Sequence, residues 1–196
     1  GHADLDVRGL RQFDEVPGPA AGRDVRVEHQ DQLAPGRQHP LVQPLPRGLP
    51  VWAGGDQEGG RGAPLKAPFT VWPPMATLGR SGDEALARRF AKALATELRA
   101  VGITLDYAPV LDIHTNPKNP IIGDRALAED ADSVARLGAA IIENLQSNGV
   151  AACGKHFPGH GDTSVDSHLD LPLVEHPPDR IRRVEFVPFR AAVNAD

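Results

Sequence analysis

The sequence predicts an α/β protein in which amphipathic helices alternate with short buried strands. Beyond Trp72, apolar residues recur at helical spacing in two long segments, and each segment is followed by a glycine and a short apolar run. A glycine directly after an amphipathic segment is typical of a helix C terminus. This succession indicates βα units, which pack together around a parallel sheet.

The first predicted helix begins at Ser81, whose hydroxyl is placed to cap it while Glu84 returns the capping bond. Gly102 ends this helix, and the largely apolar segment 103–110 is then predicted as a strand buried on both faces. The apolar face of the helix consists of Leu86, Phe90, Leu94, Leu98 and Val101.

A second helix is predicted from about Asp132 to Asn148, with Gly149 as its stop, and 150–153 as the next buried strand. A weaker helical pattern begins after Pro177-Pro178. In barrels built from βα units, the chemistry lies at the C-terminal ends of the strands. The polar loops that follow the predicted strands are therefore the places to look for a site.

Residues 1–50 have a different composition, in which Gly, Pro, Arg, Asp and Gln are scattered without a period of two or 3.6 residues. Two interpretations fit this aberrant segment: a disordered tail, or out-of-frame translation of a GC-rich gene. The predicted organisation is therefore an aberrant or disordered segment at 1–50 and a patterned domain at 51–196.

Composition excludes several classes of function. The formal net charge is -5 with no long basic stripe, so nucleic acid is not an expected partner. No apolar stretch is long enough to span a bilayer, and the first residues lack the apolar region of a secretory signal, so no membrane partner is expected. Cys153 is the only cysteine, which predicts a reducing, cytoplasmic location.

The segment 155–168 follows a predicted strand and holds three His, two Asp and one Lys. Such a density of titratable groups indicates a functional loop. Three roles are open: a metal site, a structural network, or a proton relay. Asp166 and His168 are two residues apart and can lie on one side of the loop, so that Asp166 would orient His168 for proton transfer.

Three ordered motifs resemble those of glycoside hydrolase family 3, in particular its bacterial β-N-acetylhexosaminidases of the peptidoglycan-recycling type. They are KHFPGHGDTSVDSH at 155–168, DQEGGR at 56–61, and LDYAPVLDI at 105–113 leading into IIGDRAL at 121–127. The resemblance covers residues 56–196. It implies a partial (β/α)8 TIM barrel, because a complete barrel usually needs roughly 250 residues.

The resemblance also implies an activity, the hydrolysis of terminal β-linked N-acetylglucosamine by a retaining mechanism, without a metal or an organic cofactor. His168 matches the general acid/base of the family, and Asp166 matches its dyad partner.

Four further residues match sugar-binding residues of the family, and the resemblance implies that all four line one pocket. Lys155 and His156 match residues that hold the hydroxyls of the sugar. Arg125 matches a basic residue that binds sugar, and Asp56 matches the carboxylate at the nonreducing end.

The sequence departs from the family pattern in three ways. The nucleophilic Asp of the family falls beyond Asp196, so we expect the chain alone to be inactive. Pro64 stands where the family has a second basic residue, which predicts weaker sugar binding. Residues 53–55 replace an apolar strand of the family, which makes that strand suspect. Two alternatives stay open: a noncatalytic sugar-binding fragment or pseudogene product, and a metal-dependent hydrolase that uses the histidines.

Overall fold

Three short parallel strands form the sheet of the protein. The computed structural model describes residues 52–165, 172–174 and 176–195. Strand β1 is Gly54–Gly55, β2 is Leu105–Asp106 and β3 is Ala151–Ala152, and the order in the sheet is β1-β2-β3. Both pairings are parallel, which confirms the predicted α/β class. The aberrant segment predicted at 1–50 lies outside the described residues.

The helices link the strands and cover the sheet. Helix α1 is Met75–Ser81, α2 is Glu84–Ala100, α3 is Ala131–Ser147, α4 is Pro178–Arg183 and α5 is Phe186–Val193. Helices α1 and α2 connect β1 to β2, and α3 connects β2 to β3, as expected for parallel neighbours. None of the helices in the described part of the chain has the length and apolar character needed to cross a membrane.

The long predicted helix is confirmed, but its start was wrong. Ser81 is the last residue of α1, and its hydroxyl donates to the Leu78 carbonyl at 2.6 Å. Gly82, at φ 60°, ends α1. The carboxylate of Asp83 then caps α2 by accepting from the backbone N–H of Ala85 (2.8 Å) and Leu86 (3.2 Å).

The last helical pattern forms two helices, α4 and α5, where the sequence predicted one. Proline has no N–H, so Pro188 cannot donate to the carbonyl of Val184 in a continuous helix, and the chain restarts at Phe186. The predicted helix at 132–148 is confirmed within one residue at each end, with Asp130 as its cap.

The apolar faces of α2 and α3 meet in one core. The rings of Phe90, in α2, and Trp72 stand nearly perpendicular, with a centroid distance of 5.0 Å. Burying these side chains is the main source of stability, at about 25 cal/mol per Å² of apolar surface. The fully buried side chains include Leu94 and Leu98 of α2 and Leu137, Ile141 and Leu145 of α3.

Gly54–Gly55 pairs with β2 in the sheet, at the segment where the sequence made a strand suspect. A side chain on Gly54 would lie 2.8 Å from the hydroxyl of Tyr107, so the small residue makes room for that ring. The predicted strand at 103–110 is regular only at β2, and Tyr107 is half-exposed. Cys153, predicted as buried, is exposed because the chain has left β3 by that point.

We predict that Gly79→Ala lowers the free energy of unfolding by about 3 kcal/mol, at the upper end of overpacking costs. The new Cβ would lie 1.5 Å from the carbonyl oxygen of Leu127, which is backbone and cannot move aside alone. Gly102→Ala is the comparison, since its Cβ meets nothing within 4 Å and only the φ of 83° opposes it. Its cost is about 1 kcal/mol. Urea unfolding followed by circular dichroism measures both losses, and equal losses would contradict the packing argument.

Candidate functional site

An open cleft of about 790 Å³ lies at the carboxyl ends of the strands. Asp56 directly follows β1, and Lys155 follows β3 after two intervening residues. The four predicted sugar-binding residues all line this cleft, which confirms that one pocket holds them, while their roles stay predictions. The lining includes Asp56, Glu58, Arg61, Pro64, Arg125, Lys155, His156 and His160.

Glu58 is the centre of the polar contacts in the cleft, although the sequence did not single it out. Its side chain is only 3% exposed. The guanidinium group of Arg125 donates two parallel hydrogen bonds to the carboxylate of Glu58, from Nε to Oε2 and from Nη2 to Oε1, each of 2.8 Å. The ammonium group of Lys155 lies 2.5 Å from Glu58 Oε1 and 2.5 Å from Asp56 Oδ1. One carboxylate therefore joins the segments that follow all three strands.

These contacts also fix the charges. Burial by itself would raise the pKa of Glu58, but hydrogen bonds from Arg125 and Lys155 outweigh burial and hold that pKa below its usual value. The hydrogen bonds between Arg125 and Glu58 raise the pKa of Arg125. Two carboxylates, Asp56 and Glu58, thus face two cations, and the charge of this group is balanced.

A second buried carboxylate, Asp112, organises the loop after β3. Its Oδ2 accepts from Nδ1 of His156 at 2.6 Å and from the backbone N–H of His156 at 3.2 Å. Its Oδ1 accepts from the backbone N–H of His160 at 2.6 Å. On the other side of the ring, Nε2 of His156 lies 3.4 Å from Nη2 of Arg125. Asp112 belongs to the LDYAPVLDI motif, so a buried acid after a strand was the available signal for it.

Arg61 lines the cleft and contacts three residues of the segment 121–124. Its guanidinium group donates to the carbonyl oxygens of Ile121 (2.7 Å) and Ile122 (3.0 Å), and lies 3.3 Å from the carboxylate of Asp124. Pro64, where the family pattern has a basic residue, is exposed on the cleft lining. It adds no charge and no donor there.

The predicted dyad, Asp166 and His168, lies outside the described residues. Before it in the chain, Asp162 pairs with Nε2 of His176 and lies 3.4 Å from Nη1 of Arg180. The metal-site interpretation gains no support from the described ranges, where no group of three or more His, Cys, Asp or Glu side chains is arranged to hold a metal ion.

Asp106, at the end of β2, is a buried acid beneath the cleft. Its side chain is fully buried, and Oδ1 accepts from the backbone N–H of Gln57 at 2.9 Å. Oδ2 has no hydrogen-bond partner within the described parts of the chain. Burial raises the pKa of Asp106 to about 7, against the attraction of Lys155 and with a smaller contribution from the negative charges of Asp56 and Glu58.

Comparison with known proteins identifies the protein family of this chain. The family model for the Glycosyl hydrolase family 3 N terminal domain matches residues 20–196. The chain therefore belongs to the glycoside hydrolase family 3 N-terminal domain family.

Two curated relatives are similar to this chain in sequence. The chain is 42% identical over 155 residues to a β-hexosaminidase of Thiobacillus denitrificans, and 40% identical over 152 residues to β-hexosaminidase A of Pseudoalteromonas piscicida. These alignments cover 76% and 75% of the chain, and 43% and 25% of the relatives. The chain thus spans less than half the length of these curated relatives.

Solved structures agree with these relatives. A glycoside hydrolase family 3 β-N-acetylglucosaminidase from Paenibacillus sp. matches with a TM-score of 0.72 and 47% identity, covering 76% of this chain and 28% of that one. NagZ from Neisseria gonorrhoeae in complex with N-trifluoroacetyl-D-glucosamine matches with a TM-score of 0.65 and 39% identity, covering 70% and 42%. The similarity is therefore one of sequence and of fold.

We predict that Asp106→Asn removes a pH dependence of stability. The carboxyl group of Asp106 binds its proton more tightly in the folded state than in the unfolded state, where its pKa is near 3.8. The carboxyl therefore stabilises the fold fully below about pH 4 and loses this contribution as the pH rises to about 7. The loss between pH 5 and pH 7 is on the order of 2 kcal/mol in the wild type and is absent from the variant.

Urea unfolding at pH 5, 7 and 8 measures this difference. Asp132→Asn, which neutralises an exposed carboxylate at the start of α3, is the matched control and should follow the wild type. Parallel stability curves for Asp106→Asn and the wild type would show that the carboxyl does not titrate in this range.

Proposed function

We propose that this chain forms the sugar-binding cleft of a retaining β-N-acetylhexosaminidase, which removes terminal β-linked N-acetylglucosamine from peptidoglycan-derived or other glycosides. The observation that carries the proposal is the convergence of Asp56, Arg125, Lys155 and His156 on one cleft around Glu58. The relatives named above support the same substrate class.

The polar groups around Glu58 suit the hydroxyls of a sugar. Asp56 and Glu58 balance Lys155 and Arg125 within this group, while the cleft lining also carries Arg61, which lies 3.3 Å from Asp124, and Lys66, which donates to the carbonyl oxygen of Gly60. Asp56 is 53% exposed and keeps one oxygen beyond its contact with Lys155. In such a pair the carboxylate accepts from one sugar hydroxyl and the ammonium group donates to the neighbouring hydroxyl, as recognition of a pyranose ring requires.

The proposed reaction follows the retaining scheme with a histidine as acid/base. His168, oriented by Asp166, donates a proton to the glycosidic oxygen while a carboxylate attacks the anomeric carbon and the bond to the leaving group breaks. His168 then removes a proton from water, which attacks the anomeric carbon and releases the sugar and the carboxylate. In this proposal the attacking carboxylate comes from a later strand, outside the 196 residues.

The proposal includes the fold of the longer protein. We place β1, β2 and β3 in a (β/α)8 TIM barrel whose other strands come from the rest of the full-length chain. Parallel order and helical crossovers support this placement. The proposal involves no metal or organic cofactor, and the cytoplasmic location remains a prediction.

We predict that the chain binds N-trifluoroacetyl-D-glucosamine and that Asp56→Asn lowers the affinity about tenfold, because a charged hydrogen-bond acceptor is replaced by a neutral one. Fluorine NMR of the trifluoroacetyl group measures binding directly. Asp132→Asn is the matched control, because Asp132 is an exposed carboxylate at the start of α3 and does not line the cleft. Equal loss of affinity in both variants would mean that the cleft does not bind this sugar through Asp56.

Catalysis is tested in a chimaera that supplies the rest of the protein. The matched 155-residue segment of the Thiobacillus denitrificans β-hexosaminidase is replaced by the corresponding residues of this chain. We predict turnover of a chromogenic β-N-acetylglucosaminide, and a decrease in kcat of about 10²–10⁴ for His168→Ala through loss of acid/base catalysis. His114→Ala, which removes a histidine outside the cleft lining, should leave kcat unchanged.

Two outcomes would favour the alternatives. Sugar binding by a folded chimaera that shows no turnover supports a noncatalytic sugar-binding function. Activity that disappears with a chelator and returns with zinc supports the metal-dependent hydrolase.

A further inference from the structure

Lys66 is a cation on the lining of the cleft to which the proposed function gives no role. Its ammonium group donates to the carbonyl oxygen of Gly60 at 3.4 Å, which is long for a hydrogen bond from nitrogen to oxygen. An ammonium group has three N–H donors and no acceptor, so this contact leaves two donors for other partners. Lys66 is also exposed, and a ligand in the cleft can therefore reach these donors.

The other arginine and lysine side chains on the lining are each paired with a carboxylate. Arg125 and Lys155 contact the same buried carboxylate, and Arg61 lies 3.3 Å from Asp124. Within the part of the chain that the structure describes, no carboxylate lies within ion-pair distance of the ammonium group of Lys66. Lys66 therefore keeps hydrogen-bonding capacity that the other three cations have partly used.

The chain presents position 66 on the same side as position 64. Ala63 has an extended backbone, and exposure then alternates along 63–66, with Ala63 buried, Leu65 half-buried, and Pro64 and Lys66 exposed. Leu65 packs against the apolar core, whereas Pro64 and Lys66 both line the cleft. Side chains two residues apart in an extended segment lie on one side of it. Lys66 therefore reaches the cleft from the side on which the family pattern has its second basic residue.

Gln57 fixes the backbone next to Lys66. Gln57 is 2% exposed, and its side-chain amide accepts from the backbone N–H of Leu65 at 3.1 Å and donates to the carbonyl oxygen of Leu65 at 3.3 Å. The backbone N–H of Gln57 in turn donates to Oδ1 of Asp106 at 2.9 Å. The segment that carries Lys66 is thus joined to the segment after β1, which carries Asp56.

We propose that Lys66 donates a hydrogen bond to a hydroxyl oxygen of the bound N-acetylhexosamine, and so replaces the basic residue that the family pattern has at the position of Pro64. The inference rests on the proposed function, since it takes the same sugar as ligand. A hydrogen bond from a charged donor is stronger than one between neutral groups. Lys66 therefore offsets the weaker sugar binding that Pro64 by itself predicts.

A double-mutant cycle between positions 64 and 66 tests this inference. The probe is N-trifluoroacetyl-D-glucosamine, and its binding to the chain is followed by fluorine NMR. We expect Lys66→Met, which keeps much of the length of the side chain but has no donor, to lower the affinity about tenfold. Lys66→Arg keeps a charged donor and should bind the probe within about threefold of the wild type.

Pro64→Arg completes the cycle, because it places a basic residue at the position where the family pattern has one. In the wild type we expect it to raise the affinity less than about threefold, since Lys66 already makes the contact. In the Lys66→Met background the same substitution should raise the affinity about tenfold. Two positions that serve one contact give such a non-additive result.

Lys92→Met is the matched control, because Lys92 is an exposed lysine of α2 that does not line the cleft. It should bind the probe as the wild type does. Equal affinity of Lys66→Met and the wild type, or an equal gain from Pro64→Arg in both backgrounds, overturns the role of Lys66 and leaves the proposed function intact. Failure of the wild type to bind the probe overturns the proposed function together with this inference.

Discussion

The buried carboxylate of Glu58 is the interaction on which the rest of the cleft depends. It receives two hydrogen bonds from Arg125 and a contact from Lys155, and these residues belong to the segments that follow β1, β2 and β3. Removing one partner from such a group leaves a buried charge uncompensated, which is more costly than the pair itself is stabilising. The three loops are therefore fixed together, and each functional side chain takes its position from the others.

Two further buried carboxylates support this arrangement from below. Asp112 accepts backbone N–H groups at His156 and His160, so it determines the path of the loop that carries both rings. Asp106 accepts the N–H of Gln57, the residue between Asp56 and Glu58. Carboxylates that accept from backbone amides fix a loop more strictly than surface ion pairs do, because they are shielded from water and leave few alternative partners.

The helices contribute by closing the other side of the sheet. The pairing of α2 with α3 buries the leucine-rich faces between them and leaves the carboxyl ends of the strands free for polar loops. A cleft built from loops on a rigid sheet can combine buried charges with an open mouth. The proposed sugar-binding function depends on that combination.

The sequence by itself determined the α/β class, the two long helices and the segments that line the cleft. Helical periodicity, glycine stops and local motifs each depend only on residues that are close together in the chain. It missed the division between α1 and α2 and the break before α5, since capping at Asp83 and the missing N–H of Pro188 compete with the apolar pattern. It pointed to Asp56, Arg125, Lys155 and His156 but not to Glu58 as their common partner. Only the tertiary structure decided that, because residues 67 and 97 positions apart in the chain meet only once the parallel strands are paired.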